Sequence, residues 1–139
     1  MSKALPLLMA VGALLFLSRS STAQGSSQYI EKLLDGICRV ESSCSPYWAH
    51  RYHPDGVSYG LYGLTRGAVE SVGMDWGAVK RSTSLQRAAA RRYLLKLYSI
   101  FKDWNLAVQA YHLGPGNVRK GRRAPSYLNK VLKYAHLGA

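Results

Sequence analysis

Acidic residues are scarce in this chain: seven Asp and Glu stand against nineteen Lys and Arg, leaving a net charge of +12 over 139 residues. Such an excess draws a protein onto any polyanion, whether nucleic acid, anionic membrane or acidic polymer, without selecting one. There are only two cysteines, and no His or Cys pair has ligand spacing; His50, His53 and His112 are not set out as a metal group either. Neither a metal nor a cofactor is therefore expected. No segment alternates apolar and polar residues for long enough to make a long strand, and no internal repeat is present. What remains is a mainly helical chain with room for one compact domain and one small core.

The one long apolar run is N-terminal. Lys3 supplies a positive charge, Ala4 to Leu17 are apolar apart from Pro6 and Gly12, and Ser21-Thr22-Ala23 offers small residues for cleavage before Gln24. The expectation is an export signal over 1–23 and a folded domain over 24–139. Fourteen apolar residues fall short of the roughly 20 that span a bilayer, yet an uncleaved signal stretched through Ser18 would tether the domain to a membrane.

Beyond the leader, Ile30, Leu33, Leu34, Ile37 and Glu41 fall on one stripe at helical spacing, which turns an acid toward the apolar side. Desolvation raises a carboxyl pKa, and an acid kept protonated near neutral pH can donate to a leaving oxygen. The competing reading is a structural carboxylate held by Arg39 or a backbone donor. Cys38 and Cys44 flank this position. Six residues of continuous helix separate two Cα atoms by about 9 Å, too far for a disulfide, so a bridge requires the helix to bend or end just after Glu41. Two free thiols are the alternative.

Further helices are expected from about Thr65, as a cap, to Val72, from a Ser84 cap through Leu85 to about Phe101, from Asn105 to Tyr111, and from Pro125 onward. In the long one, Leu85, Ala88, Ala89, Leu95 and Tyr98 read as the core side, with Arg87, Arg91 and Lys102 facing water. Leu113-Gly114-Pro115-Gly116 reads as a break. Ten tyrosines and three tryptophans suit recognition of pyranose faces, although Tyr93, Tyr98 and Tyr134 read as core.

Four blocks occur in order: Glu41-Ser42-Ser43-Cys44-Ser45-Pro46, Ser58-Tyr59-Gly60-Leu61-Tyr62-Gly63-Leu64, Ala110-Tyr111-His112-Leu113-Gly114-Pro115-Gly116-Asn117-Val118, and Tyr127-Leu128-Asn129-Lys130-Val131. Together they resemble the lytic transglycosylases with a soluble-type (SLT) catalytic domain. The resemblance implies a mainly α, lysozyme-like single domain with little or no β, Glu41 as catalytic acid, and Ser58, Tyr62, Tyr111, His112 and Tyr127 as substrate-binding residues. The family usually reads Gly-Leu-Met-Gln where this chain has Gly60-Leu61-Tyr62-Gly63, and Ala-Tyr-Asn-Ala-Gly where it has His112-Leu113.

The implied reaction is cleavage of the β-1,4 bond between N-acetylmuramic acid and N-acetylglucosamine in peptidoglycan, with a 1,6-anhydro product and a single carboxyl group. Asp55, in the turn His53-Pro54-Asp55-Gly56, would instead position a water if the enzyme were a hydrolase like the goose-type lysozymes. A noncatalytic cationic wall- or membrane-binding module, or a virion protein, is the other class; no specific nucleic acid is expected. The leader implies export to the periplasm or cell envelope, with a membrane-anchored or virion-associated location as alternative. Small size without a wall-anchoring repeat points to local wall opening for a secretion or conjugation apparatus or a phage. The basic run Arg119-Lys120, Arg122-Arg123 is either a contact to wall polymers or a solvated loop.

Overall fold

The computed structural model describes Gly25 and residues 27–138, so the leader expected over 1–23 lies outside the described residues. The chain divides into two units, residues 1–31 and 32–139. In the first, the described residues are helical. The second opens with helical residues 32–42, here α1, followed by a short 3-10 turn Pro46–Trp48 and then α2 (Arg66–Ser71), α3 (Trp76–Lys80), α4 (Thr83–Phe101), α5 (Trp104–Leu113), α6 (Pro115–Arg119) and α7 (Pro125–Tyr134). There is no strand among the described residues. Isolated antiparallel bridges, Tyr52 to Tyr59 and Tyr59 to Leu64, are all that stands for β structure, and the mainly helical expectation holds.

The starts of α2, α3, α4 and α5 are each fixed by a side chain that satisfies a free backbone N–H. Thr65 Oγ1 accepts from Ala68, Asp75 Oδ2 from Ala78 and Asp103 Oδ1 from Leu106. Pro125 occupies the first turn of α7, where no N–H is needed. The cap of α4 is Ser82, whose Oγ accepts from Leu85, and not Ser84. The expected break falls at Gly114, where α5 ends, and Pro115 begins α6.

α5 is apolar almost all round and lies at the centre, with Ala107, Val108, Gln109, Ala110 and Tyr111 buried and with α4, α6 and α7 packed against it. α4 turns Gln86, Ala89, Ala90, Leu94 and Leu97 inward. The expected core face was rotated from this one: Leu85 and Leu95 are 37% and 41% exposed. Tyr134, expected in the core, is also exposed. In α1, Leu33, Leu34 and Ile37 are fully buried, as the stripe requires. At Gly36 a β-carbon would lie 2.4 Å from the Val131 carbonyl oxygen. Only glycine lets α7 approach this closely, and that approach carries Tyr127 to the end of α1.

α1 ends at Ser42. Ser43 and Cys44 take left-handed backbone angles (φ 57° and 51°), which folds the chain back so that Cys38 and Cys44 lie 5.1 Å apart at Cα and form a disulfide. The bridge closes a short loop around Glu41, and loop-closure entropy assigns it about 2 kcal/mol. Replacing both cysteines with serine should therefore lower the melting temperature by roughly 10 °C, as read by thermal denaturation; an unchanged melting point would refute a stabilising bridge.

Candidate active site

Glu41 stands on the last turn of α1, partly exposed at the rim of a groove of about 440 Å³ whose walls include Val40, His112, Pro125, Tyr127 and Lys130. A second hollow of about 230 Å³ is lined by Gly63, Leu64, Tyr93, Tyr111, His112 and Leu113. His112 belongs to the walls of both. No other Glu and no Asp lines either one.

The carboxyl is positioned from two sides. The Tyr127 hydroxyl donates to Glu41 Oε2 at 2.9 Å. The His112 ring stacks on that of Tyr127, with centroids 4.4 Å apart and planes 12° from parallel, which restrains the phenol from behind. On the other side lies Gly63, where a β-carbon would come within 2.5 Å of Glu41 Oε1. Where the family usually carries glutamine, this chain has no side chain, and the carboxyl uses the space.

Burial pushes the Glu41 pKa above its ordinary 4.5; the Tyr127 hydrogen bond and the charge of His53 oppose the rise, while Asp55 adds to it. The shift is toward the protonated form, the direction a proton donor requires. Burial also raises Tyr111 and Tyr127 well above 10, so both phenols remain neutral donors. Asp55 behaves oppositely. Its Oδ1 accepts from the Val57 and Ser58 amides at 2.9 Å and its Oδ2 from Ser58 Oγ at 2.7 Å, holding its pKa down to about 2. It is ionised at any working pH and closes its own turn.

The 58–64 turn is fastened beneath the groove by a polar network. Ser42 Oγ donates to the Leu61 carbonyl at 2.7 Å, His53 Nε2–H to Gly60 at 2.7 Å, and the Tyr111 hydroxyl to Tyr62 at 2.7 Å. Buried Gln86 accepts from the Leu61 amide at 3.1 Å and donates to the Ala49 carbonyl at 2.8 Å. These bonds fix the backbone that passes Glu41, and each buried polar group in them is satisfied.

Of the residues singled out in the sequence, Glu41, His112 and Tyr127 meet in one groove and Tyr111 lines the adjoining hollow. Ser58 is engaged with Asp55. Tyr62 is 5% exposed and accepts from Arg87 Nη1 at 3.1 Å, so its hydroxyl points to α4. Gln86 and Ser42 were not singled out. A buried amide has no signature in apolar periodicity, and Ser42 is visible only as the second residue of the Glu-Ser pair. Among the described residues no group of three or more His, Cys, Asp or Glu could hold a metal ion.

Comparison with known proteins bears on the same segment. The model of the transglycosylase SLT domain matches residues 20–132, which contain all four motif blocks. Neither a curated protein nor a solved structure gives a match. The chain belongs to the transglycosylase SLT domain family, whose members are lytic transglycosylases, lyases that act on peptidoglycan.

Proposed function

We propose that Glu41 is the catalytic acid and base of a one-carboxyl cleavage between N-acetylmuramic acid and N-acetylglucosamine. The Glu41 proton passes to the glycosidic oxygen as the bond to the muramic C1 breaks. The muramic N-acetyl oxygen attacks C1 and holds the positive charge as an oxazolinium. Glu41, now a carboxylate, takes the proton of the C6 hydroxyl, whose oxygen displaces the acetamido oxygen and closes the 1,6-anhydro ring. No water enters, and Glu41 ends as it began.

The observation that carries this reading is the Tyr127-bound, desolvated carboxyl in a trough that no other carboxylate lines. A two-acid glycosidase places its partner carboxyl roughly 5–10 Å across the scissile bond. Tyr111, His112 and Tyr127 supply ring surface for the sugars while the two phenol hydroxyls hold the Tyr62 carbonyl and Glu41, with Ser58 and Tyr62 acting through the turn beneath. Digestion of purified peptidoglycan followed by mass analysis is the test. Fragments lighter by one water than reducing-end muropeptides are expected. Reducing ends would assign the reaction to hydrolysis, with Asp55 as the residue to examine.

We also propose that residues 1–23 direct export, that the domain works in the periplasm or envelope, and that it opens wall locally for a secretion or conjugation system or a phage. The leader sequence and the wall substrate support this. N-terminal sequencing of the cell-envelope fraction should find a chain beginning at Gln24; an uncleaved chain in the membrane would mean an anchor instead.

Tyr127→Phe provides a further test. Losing the hydroxyl removes a bond that lowers the Glu41 pKa, so the carboxyl should hold its proton to higher pH. The alkaline limb of the pH–rate profile should move upward, and the maximal rate should fall about tenfold as the carboxyl loses its restraint. An unmoved limb would separate Tyr127 from the acid.

A further inference from the structure

Away from Glu41 the structure has another hollow, of about 660 Å³, lined by His50, Tyr52, Tyr59, Gly77, Lys80 and Arg81. It shares no lining residue with the two hollows beside Glu41. Tyr52 and Tyr59 on its wall belong to an aromatic corner that Trp76 completes just beyond the lining. Tyr52 and Tyr59 meet edge to face at 5.0 Å, and Tyr59 and Trp76 at 5.8 Å. Lys80 Nζ lies 5.7, 5.9 and 5.4 Å from the centroids of Tyr52, Tyr59 and Trp76, which holds the ammonium at the corner.

The charges here are not cancelled within the fold. Neither Lys80 nor Arg81 forms an ion pair among the described residues. Glu70 pairs with Arg66, while Asp75, which caps α3, lies beside Arg81 around Gly77 and offsets its charge in part without forming an ion pair. His50 is fixed by Nδ1–H donation to the Lys80 carbonyl at 2.9 Å, a bond that leaves Nε2 unused. The hollow therefore combines flat rings, half exposed at Tyr52, with two unpaired cations and a ring nitrogen.

We infer that this hollow binds a sugar that carries a carboxylate or phosphate group. A ring face would lie on Tyr52, and the anionic group would bond Lys80 and Arg81. Such a site gives the basic domain a second hold on the cell wall, distinct from the cutting groove. It does not rest on the proposed reaction, and Glu41→Gln protein should bind identically.

The test uses the full chain and follows the Trp76 indole N–H by NMR during titration with trigalacturonate, glucose 6-phosphate and neutral maltotriose. At least one charged sugar should shift the signal saturably, and maltotriose should bind at least about fivefold more weakly. A response to galacturonate identifies a carboxylate polymer as the source, and one to the phosphate sugar a wall phosphate polymer. Lys80→Gln/Arg81→Gln should weaken binding about fivefold or more, while Arg122→Gln/Arg123→Gln, which removes the same charge elsewhere, should not. The backbone carbonyl of Lys80 that organises this region survives the first pair of substitutions. Should that variant fail to fold, the wild-type shift map decides: changes at Trp76 and His50 support the site, and changes at Tyr127 and Lys130 alone overturn it. Equal losses in both double variants, equal binding of maltotriose, or no response at Trp76 also overturn it.

Discussion

Glu41→Gln should lower peptidoglycan-degrading activity by about 10³-fold or more while the protein stays folded. Glutamine fills nearly the same volume and keeps a carbonyl oxygen to accept from Tyr127, so the 2.9 Å contact need not be lost. What disappears is the transferable proton. Stability should move in the opposite direction from activity. The folded pKa of Glu41 lies above its ordinary 4.5, so between that value and the raised one the native state holds more proton than the unfolded chain. Stability contributed at this site therefore declines as pH rises through that window, because ionising the buried carboxyl costs the fold more than it costs the unfolded chain. Glutamine does not titrate, and its melting temperature at neutral pH should equal or exceed that of the wild type. Turbidity loss of purified sacculi and paired thermal melts in acidic and neutral buffer read both effects. Retained lytic activity in a variant with a native melt would remove Glu41 from the chemistry.

Glu41 could be singled out in the sequence because an acid at that position runs against its surroundings. Leu33, Leu34 and Ile37 define a clean stripe, and an acid that continues it is a local conflict of the kind functional sites retain. The disulfide was legible only as a condition, that the helix stop after Glu41. The stop depends on left-handed angles at Ser43 and Cys44, residues with no strong preference for them. α4 was harder. Alanine at 88, 89 and 90 and leucine at 85, 94, 95 and 97 offer several stripes of similar apolarity. The face chosen by the fold is the one holding Gln86, because the Leu61 amide and the Ala49 carbonyl need a partner there. Tertiary demand for a polar group overrode the apolar pattern. The same holds for Tyr62: alignment sets it beside the cleft, while its burial and its bond to Arg87 depend on α4, which a motif four residues long does not contain.

Gly63→Ala should reduce activity about 10²-fold for a small loss of stability, and the two effects have different causes. Gly63 sits at φ +59°, so alanine costs about 1–2 kcal/mol in the backbone. The added methyl would fall 2.5 Å from Glu41 Oε1 and 2.8 Å from its carboxyl carbon. A carboxyl is the free end of a flexible side chain, so the fold can relieve the clash by swinging it aside. The reaction cannot tolerate that swing, because a displacement of about 1 Å at a reacting group costs on the order of 10²-fold in rate. Gly56 supplies the matched control: its φ is +71°, and a methyl there meets nothing within 4 Å. Gly56→Ala should carry a similar melting penalty and retain near wild-type activity. Parallel melts and sacculus assays on the two variants separate the carboxyl's position from backbone strain. If Gly63→Ala proved as active as Gly56→Ala, the space beside Oε1 would have no part in catalysis, and the glycine would be a turn residue only.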